Sequence, residues 1–371
     1  MLRKKHVALV GLGKQAFTDH LTAVLESNIA WLEAICDTDK ELLAARANEL
    51  SARGITGFSS YDSIETLIEN SPVDIAILCL PHFQYKSAID AISAKGIHII
   101  KEKPFAMSLG EAVELHELVS NRNVKMMVAV MRRFHPVFTT FNQMRGRIGR
   151  LYAIEAQQSL NVQRLDQGWR ASRAHAGGGA LLDLGYHMID LLIWYFGLPS
   201  SVSARMGNAA RERQTYDVED TAFTLFDYVA PEIRTLCGSF VVSRAFPKKQ
   251  EVLRVLGTKG AIEVSREHIA RLDLAGNPIE QLTRTETWPS ACVDQIDYFC
   301  NLIDGLDQRT ELDYTRHFAH MALIDACYIS ASERRSVDPS AILRASGLSE
   351  ALIASLTSLR FGDAHFKVPV A

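Results

Sequence analysis

Short apolar runs alternate with helix-like patterns along the first third of the chain. The predicted strands are residues 6–10, 31–36, 73–80, 97–101 and 125–130. Helical spacing of apolar positions lies between them, most clearly over residues 16–27 and 85–95. Strands that alternate with helices imply a parallel sheet with right-handed crossovers. The pattern therefore predicts an α/β fold that begins with a doubly wound parallel sheet.

The rhythm changes near residue 150, where strand-like segments follow one another with turns between them. These segments are residues 151–162, 202–208, 221–229, 235–243, 252–256 and 261–264. Two helical patterns follow, over 291–304 and 314–333. We predict a second, α+β domain with a large, mostly antiparallel open sheet. The expected boundaries are a first domain at 1–130, a second domain at 131–337, and a tail at 338–371 with one short amphipathic candidate, 349–359.

Composition narrows the class of protein and of partner. Hydrophobic residues make up 47% and charged residues 22%, which is ordinary for a globular protein. A net charge of -3 without a basic run argues against nucleic acid, and no apolar stretch is long enough for a bilayer. The six cysteines show no CxxC pair or zinc spacing, so we expect reduced thiols and no metal site. The basic N-terminus enters a strand without a secretory signal, and a cytoplasmic protein is expected.

Residues 11–16 form a GxGxxA turn between the first strand and the following helix. Gly11 allows the tight turn, Gly13 lets the backbone approach a pyrophosphate, and Ala16 is small enough for helix packing. Lys14 and Gln15 lie inside the turn, at a helix N-terminus that favours phosphate. Asp37 ends the next strand, where its carboxylate can bind the ribose hydroxyls of NAD and repel a 2′-phosphate. Lys40 nearby leaves NADP open as a cofactor.

A lysine-rich strand end lies at residues 101–104, Lys-Glu-Lys-Pro. Ligands of open α/β sheets bind at the carboxyl ends of the strands, so a lysine here can polarise a substrate oxygen or share its proton. Lys103 is the better candidate because Pro104 restricts its backbone. An ordinary surface lysine after a strand is the competing interpretation.

Three polar residues share one stripe of an apolar helix predicted over 177–190. On a regular helix, Asp183, His187 and Asp190 fall within roughly 60° of one another. A histidine with a carboxylate one turn before it can form an oriented acid/base pair. The alternative is a buried histidine that bonds to its own helix neighbour.

Taken in order along the chain, these motifs resemble the Gfo/Idh/MocA oxidoreductases. The matching motifs are the GxGxxA loop with His20 after it, Asp37, Glu102-Lys103-Pro104, Arg133-Phe134-His135-Pro136, Trp169-Arg170 and GGGxxxDxGxHxxD from Gly177 to Asp190. The resemblance implies hydride transfer between nicotinamide and a sugar, cyclitol or related carbinol. By position, Lys103, Asp183 and His187 match the catalytic residues, and Arg133, Trp169 and Arg170 join them in binding substrate.

The resemblance also implies a Rossmann fold for the first domain, a set of residues that line the cofactor, and an oligomer. The family usually has Pro-Asn-x-x-His after its fourth strand, whereas this chain has Pro81-His82-Phe83-Gln84-Tyr85. Leu80, Pro81, His82, Tyr85, Glu102 and Lys103 are thus expected beside the cofactor, with a changed wall near the nicotinamide. The open sheet often forms the oligomer interface, which implies a homodimer or homotetramer. Asp190 is interpreted as structural support behind His187.

The substrate and two other functions stay open at this point. In the hypothesis, His187 takes the hydroxyl proton, Asp183 holds the imidazole or a substrate hydroxyl, and Lys103 stabilises the alkoxide, although lysine and histidine could exchange roles. The cationic side chains Arg164, Arg170, Arg173 and His175 would suit an anionic sugar derivative. The alternatives are a glycosidase that oxidises its substrate transiently with bound NAD, and a non-catalytic NAD-binding regulator that responds to sugars.

Overall fold

The computed structural model describes residues 3–230, 233–285 and 288–358. The chain divides into two compact units. The first comprises Met1–Ala106, Glu114–Phe134 and Glu286–Thr315, and the second comprises Met107–Val113, His135–Thr285 and Arg316–Ala371. This interleaving differs from the continuous ranges predicted, because a helix late in the sequence packs into the first unit. No local pattern in the sequence encodes that return.

Six strands form the sheet of the first unit. They are β1 (Lys5–Val10), β2 (Ala30–Cys36), β3 (Ser59–Tyr61), β4 (Ile75–Leu78), β5 (His98–Glu102) and β6 (Met126–Ala129). Their order is β3-β2-β1-β4-β5-β6, and every neighbouring pair is parallel. The predicted doubly wound sheet is confirmed, and its order reverses between β1 and β4, where such sheets bind ligands. β3 is absent from the prediction, because its short Ser-Ser-Tyr sequence carries no apolar run.

Eight strands form the sheet of the second unit. They are β7 (Leu151–Asn161), β8 (Ser201–Gly207), β9 (Thr221–Ala230), β10 (Ile233–Ser243), β11 (Ala245–Gly257), β12 (Gly260–Ser265), β13 (His268–Leu272) and β14 (Pro278–Thr283). The order is β14-β13-β12-β11-β7-β10-β9-β8, and only the β7–β10 pair is parallel. The large, mostly antiparallel sheet is therefore confirmed. β13 and β14 add two strands at one edge, where polar side chains weaken the strand signal.

Twelve α-helices are described in the chain. They are α1 (Leu21–Glu26), α2 (Lys40–Ala52), α3 (Ile64–Asn70), α4 (Tyr85–Ser93), α5 (Leu109–Ser120), α6 (Pro136–Met144), α7 (Arg173–Ala176), α8 (Tyr186–Phe196), α9 (Trp288–Ile303), α10 (His317–Glu333), α11 (Pro339–Arg344) and α12 (Glu350–Thr357). α2 and α3 were not predicted, although Asp39 and Ser63 cap their first turns in the usual way. The short helix predicted at 349–359 is α12, and its last predicted residue lies outside the described residues.

The apolar stretch at 177–190 is not one regular helix. A π-helical segment covers Ala180–Leu184, Gly185 follows, and α8 begins at Tyr186. The amide of Gly185 donates to the Ala180 carbonyl at 2.8 Å, which is the wider i→i+5 spacing of a π-turn. This widening corrects the regular 100° spacing assumed for the stripe, because Asp183 and His187 lie in two different kinds of helix.

Candidate functional site

The glycine loop after β1 is held tightly on one side and open on the other. Gly11 has a φ of +84°, and a Cβ there would collide with the carbonyl of Cys79 at the end of β4. Its amide donates to the Cys36 carbonyl at 2.9 Å. At Gly13 a Cβ would meet no protein atom within 4 Å. Gly11 is thus required by packing, whereas Gly13 leaves space for a group that approaches the backbone.

Asp37 fixes this loop to the end of β2. One oxygen of its carboxylate accepts the Leu12 amide at 2.7 Å, and the other accepts the Asp39 amide at 2.9 Å. Each carboxylate oxygen can accept a further bond, so these contacts leave Asp37 able to bind hydroxyl groups. Lys40, the residue that kept NADP open, is 79% exposed and pairs with Asp62 at 2.9 Å. That pairing neutralises the cation expected to attract a 2′-phosphate.

The segment after β4 is ordered by Tyr85. Its hydroxyl accepts the amide of Leu80 and donates to the carbonyl of Leu78, both at 3.3 Å. Pro81 and His82 lie between Leu80 and Tyr85 in the chain, so these bonds tie their turn to the end of β4. His82 is buried in this turn. The Tyr85 hydroxyl thus stabilises this turn. The sequence did not indicate this role for Tyr85, which stands where the family usually has a histidine.

The two lysines of β5 and its following turn have different environments. Lys101 is fully buried, its ammonium donates to the carbonyls of Glu102 and Pro104, and it lies 3.4 Å from the centre of the Tyr85 ring. Lys103 is only half-buried. Because the cation of Lys101 is satisfied by backbone, the structure favours Lys103 over Lys101 as the reactive candidate.

Behind Lys103 lies a buried pair that links Glu102 to His20. The imidazole Nε2 of His20 is 2.7 Å from Glu102 Oε1, and Glu102 Oε2 accepts the Lys103 amide at 3.2 Å. Burial lowers the pKa of His20, but Cys79 and Glu102 outweigh it and raise that pKa well above its usual value. Glu102 is therefore an anchor for the backbone of Lys103. His20 was quoted for the resemblance, but its pairing with Glu102 was not foreseen.

In the second unit, α8 presents a single accessible side chain. His187 is half-buried, and every other residue of α8 is buried. The one accessible position of this otherwise buried helix is occupied by a titratable group. This observation favours the functional interpretation of His187 over a histidine enclosed by its own helix.

Asp183 precedes His187 and has a cationic partner. Arg170 Nε donates to its carboxylate at 2.9 Å, and the guanidinium lies 4.1 Å from the centre of the Trp169 ring. The Asp183 side chain is 12% exposed, and that of Arg170 is 53% exposed. The structure thus joins the predicted substrate residues Trp169 and Arg170 to the predicted catalytic residue Asp183.

Glu219 holds the segment that carries Asp183, a role that no local motif in the sequence indicated. Its buried carboxylate accepts the amides of Gly179 and Leu181, both at 2.9 Å, and the hydroxyl of Tyr328 at 3.0 Å. Burial and then the Glu219 charge raise the pKa of Tyr328 well above its usual value, which keeps the hydroxyl a donor. A Cβ at Gly179 would collide with the Glu219 backbone. Glu219 therefore organises the triple-glycine turn.

Other predicted binding cations already have partners. Arg164 forms a two-pronged ion pair with Asp166, and Arg173 lies 3.9 Å from Glu219. Arg133 is buried and donates to the backbone carbonyl of Glu311. With Arg170 on Asp183, each arginine of the predicted anionic-substrate cluster lies beside a carboxylate.

Asp190 has a partner that its place on α8 did not indicate. Its carboxylate lies 2.9 Å from His320 Nε2 on α10, and both side chains are buried. Asp190 thus links α8 to α10 through His320.

Across the described ranges, none of the helices combines the length and the apolar character that crossing a membrane requires.

Comparison with known proteins places these features in a family. Residues 5–130 match the model of the oxidoreductase family with an NAD-binding Rossmann fold, and residues 144–263 match that of the GFO/IDH/MocA C-terminal domain. An uncharacterized oxidoreductase of Schizosaccharomyces pombe is 28% identical over 264 residues, which is 68% of either chain.

Two further similar proteins are named as dehydrogenases. The trans-1,2-dihydrobenzene-1,2-diol dehydrogenase of Mus musculus is 26% identical over 63% of this chain and 69% of its own. The structure of a levoglucosan dehydrogenase with NADH and levoglucosan shares the fold with a TM-score of 0.77 at 19% identity, over 91% of this chain and 99% of that one. The two family models together cover well over half of the sequence, so the chain belongs to the Gfo/Idh/MocA family of NAD-binding oxidoreductases.

Proposed function

We propose that this oxidoreductase transfers hydride between NAD and a secondary alcohol or ketone of a sugar or cyclitol. The observation that carries the proposal is the single opening of α8 at His187, with Asp183 and its Arg170 partner just before it. A base beside a hydroxyl is what carbinol oxidation needs from the protein. Lys103, from the first unit, is proposed to act on the same substrate.

The residues of the glycine loop fit NAD. Gly13, Lys14 and Gln15 are exposed where the backbone is open, and Asp37 keeps acceptor capacity for ribose hydroxyls. We expect Leu80, Pro81, His82, Tyr85 and Glu102 to shape the nicotinamide end. The exposed pairing of Lys40 with Asp62 supports NAD over NADP, since a 2′-phosphate would lie near Asp37 without a strong cation.

The proposed chemistry is a balanced two-electron oxidation. His187 takes the hydroxyl proton as the alcohol becomes a ketone, and NAD held by the glycine loop and Asp37 would accept the hydride that the same carbon loses. Lys103 stabilises the developing negative charge on oxygen, and Asp183 orients the imidazole or a neighbouring hydroxyl.

The proposed substrate is a neutral polyol. Arg164, Arg170 and Arg173 each lie beside a carboxylate, so a phosphate or carboxylate on the substrate would have to compete for them. All three arginine side chains are about half exposed, which keeps an anionic sugar derivative as a second candidate. Turnover of a neutral polyol against its phosphorylated and carboxylated analogues decides between them.

The test combines a substrate screen with two variants. Sugars and cyclitols are offered with NAD and separately with NADP, and NADH formation is followed by absorbance. His187→Asn and Lys103→Ala should each lower kcat by about 10²–10⁴-fold, and His187→Asn should leave the Kd for NAD unchanged. His268→Asn, which changes a histidine hydrogen-bonded to Thr283 on the edge strands, is the matched control.

Near-normal turnover in both variants would overturn the assignment. Glycoside cleavage without net NADH would instead identify the glycosidase, and ligand-dependent NAD binding without any turnover would identify the regulator.

We also propose that the outer face of the second sheet is the interface of a homo-oligomer. Along β9, Ala222, Phe226 and Tyr228 point into the core, whereas Phe223 and Leu225 alternate with them and are 55% and 63% exposed. An antiparallel sheet that turns large apolar residues outward offers a surface for association.

A further inference from the structure

A compact group of side chains of the kinds that ligate metals lies between α8 and α10. Asp190, His317 and His320 are 1%, 2% and 0% exposed. One ring nitrogen of each histidine and one carboxylate oxygen of Asp190 lie within 4.8 Å of one another. The three side chains come from only two helices of the same unit, so the arrangement is built into the packing of α8 on α10.

The orientation of His320 poses a chemical question. Its Nε2 is 2.9 Å from the Asp190 carboxylate, and its Nδ1 is 3.2 Å from the backbone carbonyl of Arg316. Both neighbours are acceptors, whereas a neutral imidazole has one N–H donor. Either the ring or Asp190 carries an additional proton in a buried site, or a cation lies on the Nε2 side and is shared with Asp190.

The surroundings match those of a ligated histidine. The bond from Nδ1 to the Arg316 carbonyl is the contact that metal-binding histidines make with their second nitrogen. His317 is held in a similar way, because Tyr186 Oη lies 2.9 Å from its Nδ1. The two imidazoles lie with centroids 4.4 Å apart, so both rings are fixed next to the same carboxylate.

We propose that Asp190, His317 and His320 bind one divalent transition-metal ion, with Zn²⁺ as the first choice. Two imidazoles and one carboxylate suit zinc and its neighbours, whereas magnesium and calcium prefer oxygen ligands alone. The ion ties α8 to α10 and so holds the helix that presents His187. The sequence predicted no metal because the donors are far apart in it, and only the pairing of α8 with α10 assembles them.

Metal content tests the proposal directly. The full chain is produced in medium supplemented with Zn²⁺, freed of any histidine tag, dialysed and analysed for metal. We expect about one equivalent of Zn²⁺ per chain. Asp190→Asn, His317→Gln and His320→Gln should lose it, while His268→Gln on the edge of the second sheet retains it. Replacement by Co²⁺ should give the visible absorption of a nitrogen- and oxygen-ligated ion in the wild type alone.

A second measurement guards against variants that do not fold. Because the donors are buried, the ion enters during folding, and wild-type chain refolded with Zn²⁺ should unfold at a higher temperature than chain refolded with a chelator. Wild-type chain that holds no stoichiometric Zn²⁺ after either route, with an unchanged Tm, would overturn the proposal and leave a hydrogen-bonded network. Neither readout uses turnover, so the result is independent of the proposed dehydrogenase reaction.

Discussion

At the scale of single residues, the site depends on polar groups placed in apolar surroundings. His187 is the one accessible position of an otherwise buried helix, and the Asp183 carboxylate, earlier in the chain, is paired with Arg170. Lys101 and Lys103 show how two identical side chains differ: one is enclosed by carbonyls and an aromatic ring, and the other is half-buried. Burial and hydrogen-bond partners therefore distinguish the two lysines, since their residue type is the same.

Arg170→Ala tests the partner of Asp183. We expect kcat/KM to fall about tenfold, because the carboxylate loses the group that orients it. The free energy of unfolding should fall by about 1–3 kcal/mol, because the Asp183 carboxylate is only 12% exposed and would lose its cationic partner. Steady-state kinetics and urea unfolding measure both. Arg164→Ala removes a similar exposed pair with Asp166 and should leave kcat/KM unchanged; an equal loss there would point to a general effect of charge.

At the scale of elements, irregular segments carry the functional groups. Asp183 lies on the π-helical segment Ala180–Leu184 and not on α8, and the segment is pinned by Glu219 through the Gly179 and Leu181 amides. His20 likewise ends a π-helical segment, Ala16–His20, and reaches Glu102 at the end of β5. In the first place a carboxylate distant in sequence accepts backbone amides, and in the second it pairs with the His20 side chain.

Glu219→Gln tests the first of these anchors. A carboxamide cannot accept from three donors as a carboxylate does, so we expect the free energy of unfolding to fall by about 2–4 kcal/mol. We also expect kcat to fall more than the affinity for NAD, because the displaced segment carries Asp183. Glu155→Gln, on the exposed sheet face, is the control. Loss of stability with kcat and its pH profile intact would restrict Glu219 to folding.

His20→Asn tests the second anchor through its pH dependence. The folded pKa of His20 is raised, so its pairing with Glu102 stabilises the fold fully below the unfolded pKa of about 6.5. That contribution is lost as the pH rises through the folded pKa. The difference in unfolding free energy between wild type and variant should thus be largest at low pH and shrink on alkalinisation. Urea unfolding across pH measures it, and a difference that is constant with pH contradicts the assignment.

At the scale of the whole molecule, the two sheets are used in different ways. The parallel sheet is buried on both faces and directs its carboxyl ends to the cofactor loop. The antiparallel sheet buries one face and leaves Phe223, Leu225 and Val229 of β9 exposed on the other. An exposed apolar sheet face of this kind is the expected signature of association between copies.

Leu225→Glu should therefore reduce the assembly to a smaller species. A charge placed in an apolar interface would be desolvated without a partner, which costs several kcal/mol. Light scattering after size-exclusion chromatography measures the mass of wild type and variant. Leu274→Glu, on a leucine that is 77% exposed in the turn between β13 and β14, is the matched control. An unchanged mass for Leu225→Glu would remove the sheet face from the interface.

The sequence by itself determined the features that repeat locally. Alternating strand and helix periods predicted the parallel sheet, the GxGxxA turn with Asp37 predicted the cofactor loop, and the apolar stretch at 177–190 singled out Asp183 and His187. Such signals lie within a few residues of one another, where side-chain period and backbone preference decide the outcome.

Tertiary structure alone decided the partners. The pairs His20–Glu102, Glu219–Gly179 and Asp190–His320 join residues far apart in the chain, and the π-turn between Asp183 and His187 departs from the regular spacing of the pattern. The physical reason is that a buried polar group must find its hydrogen-bond partner wherever packing brings one. Periodicity shows which residues are buried, but only the packed elements show what each of them meets there.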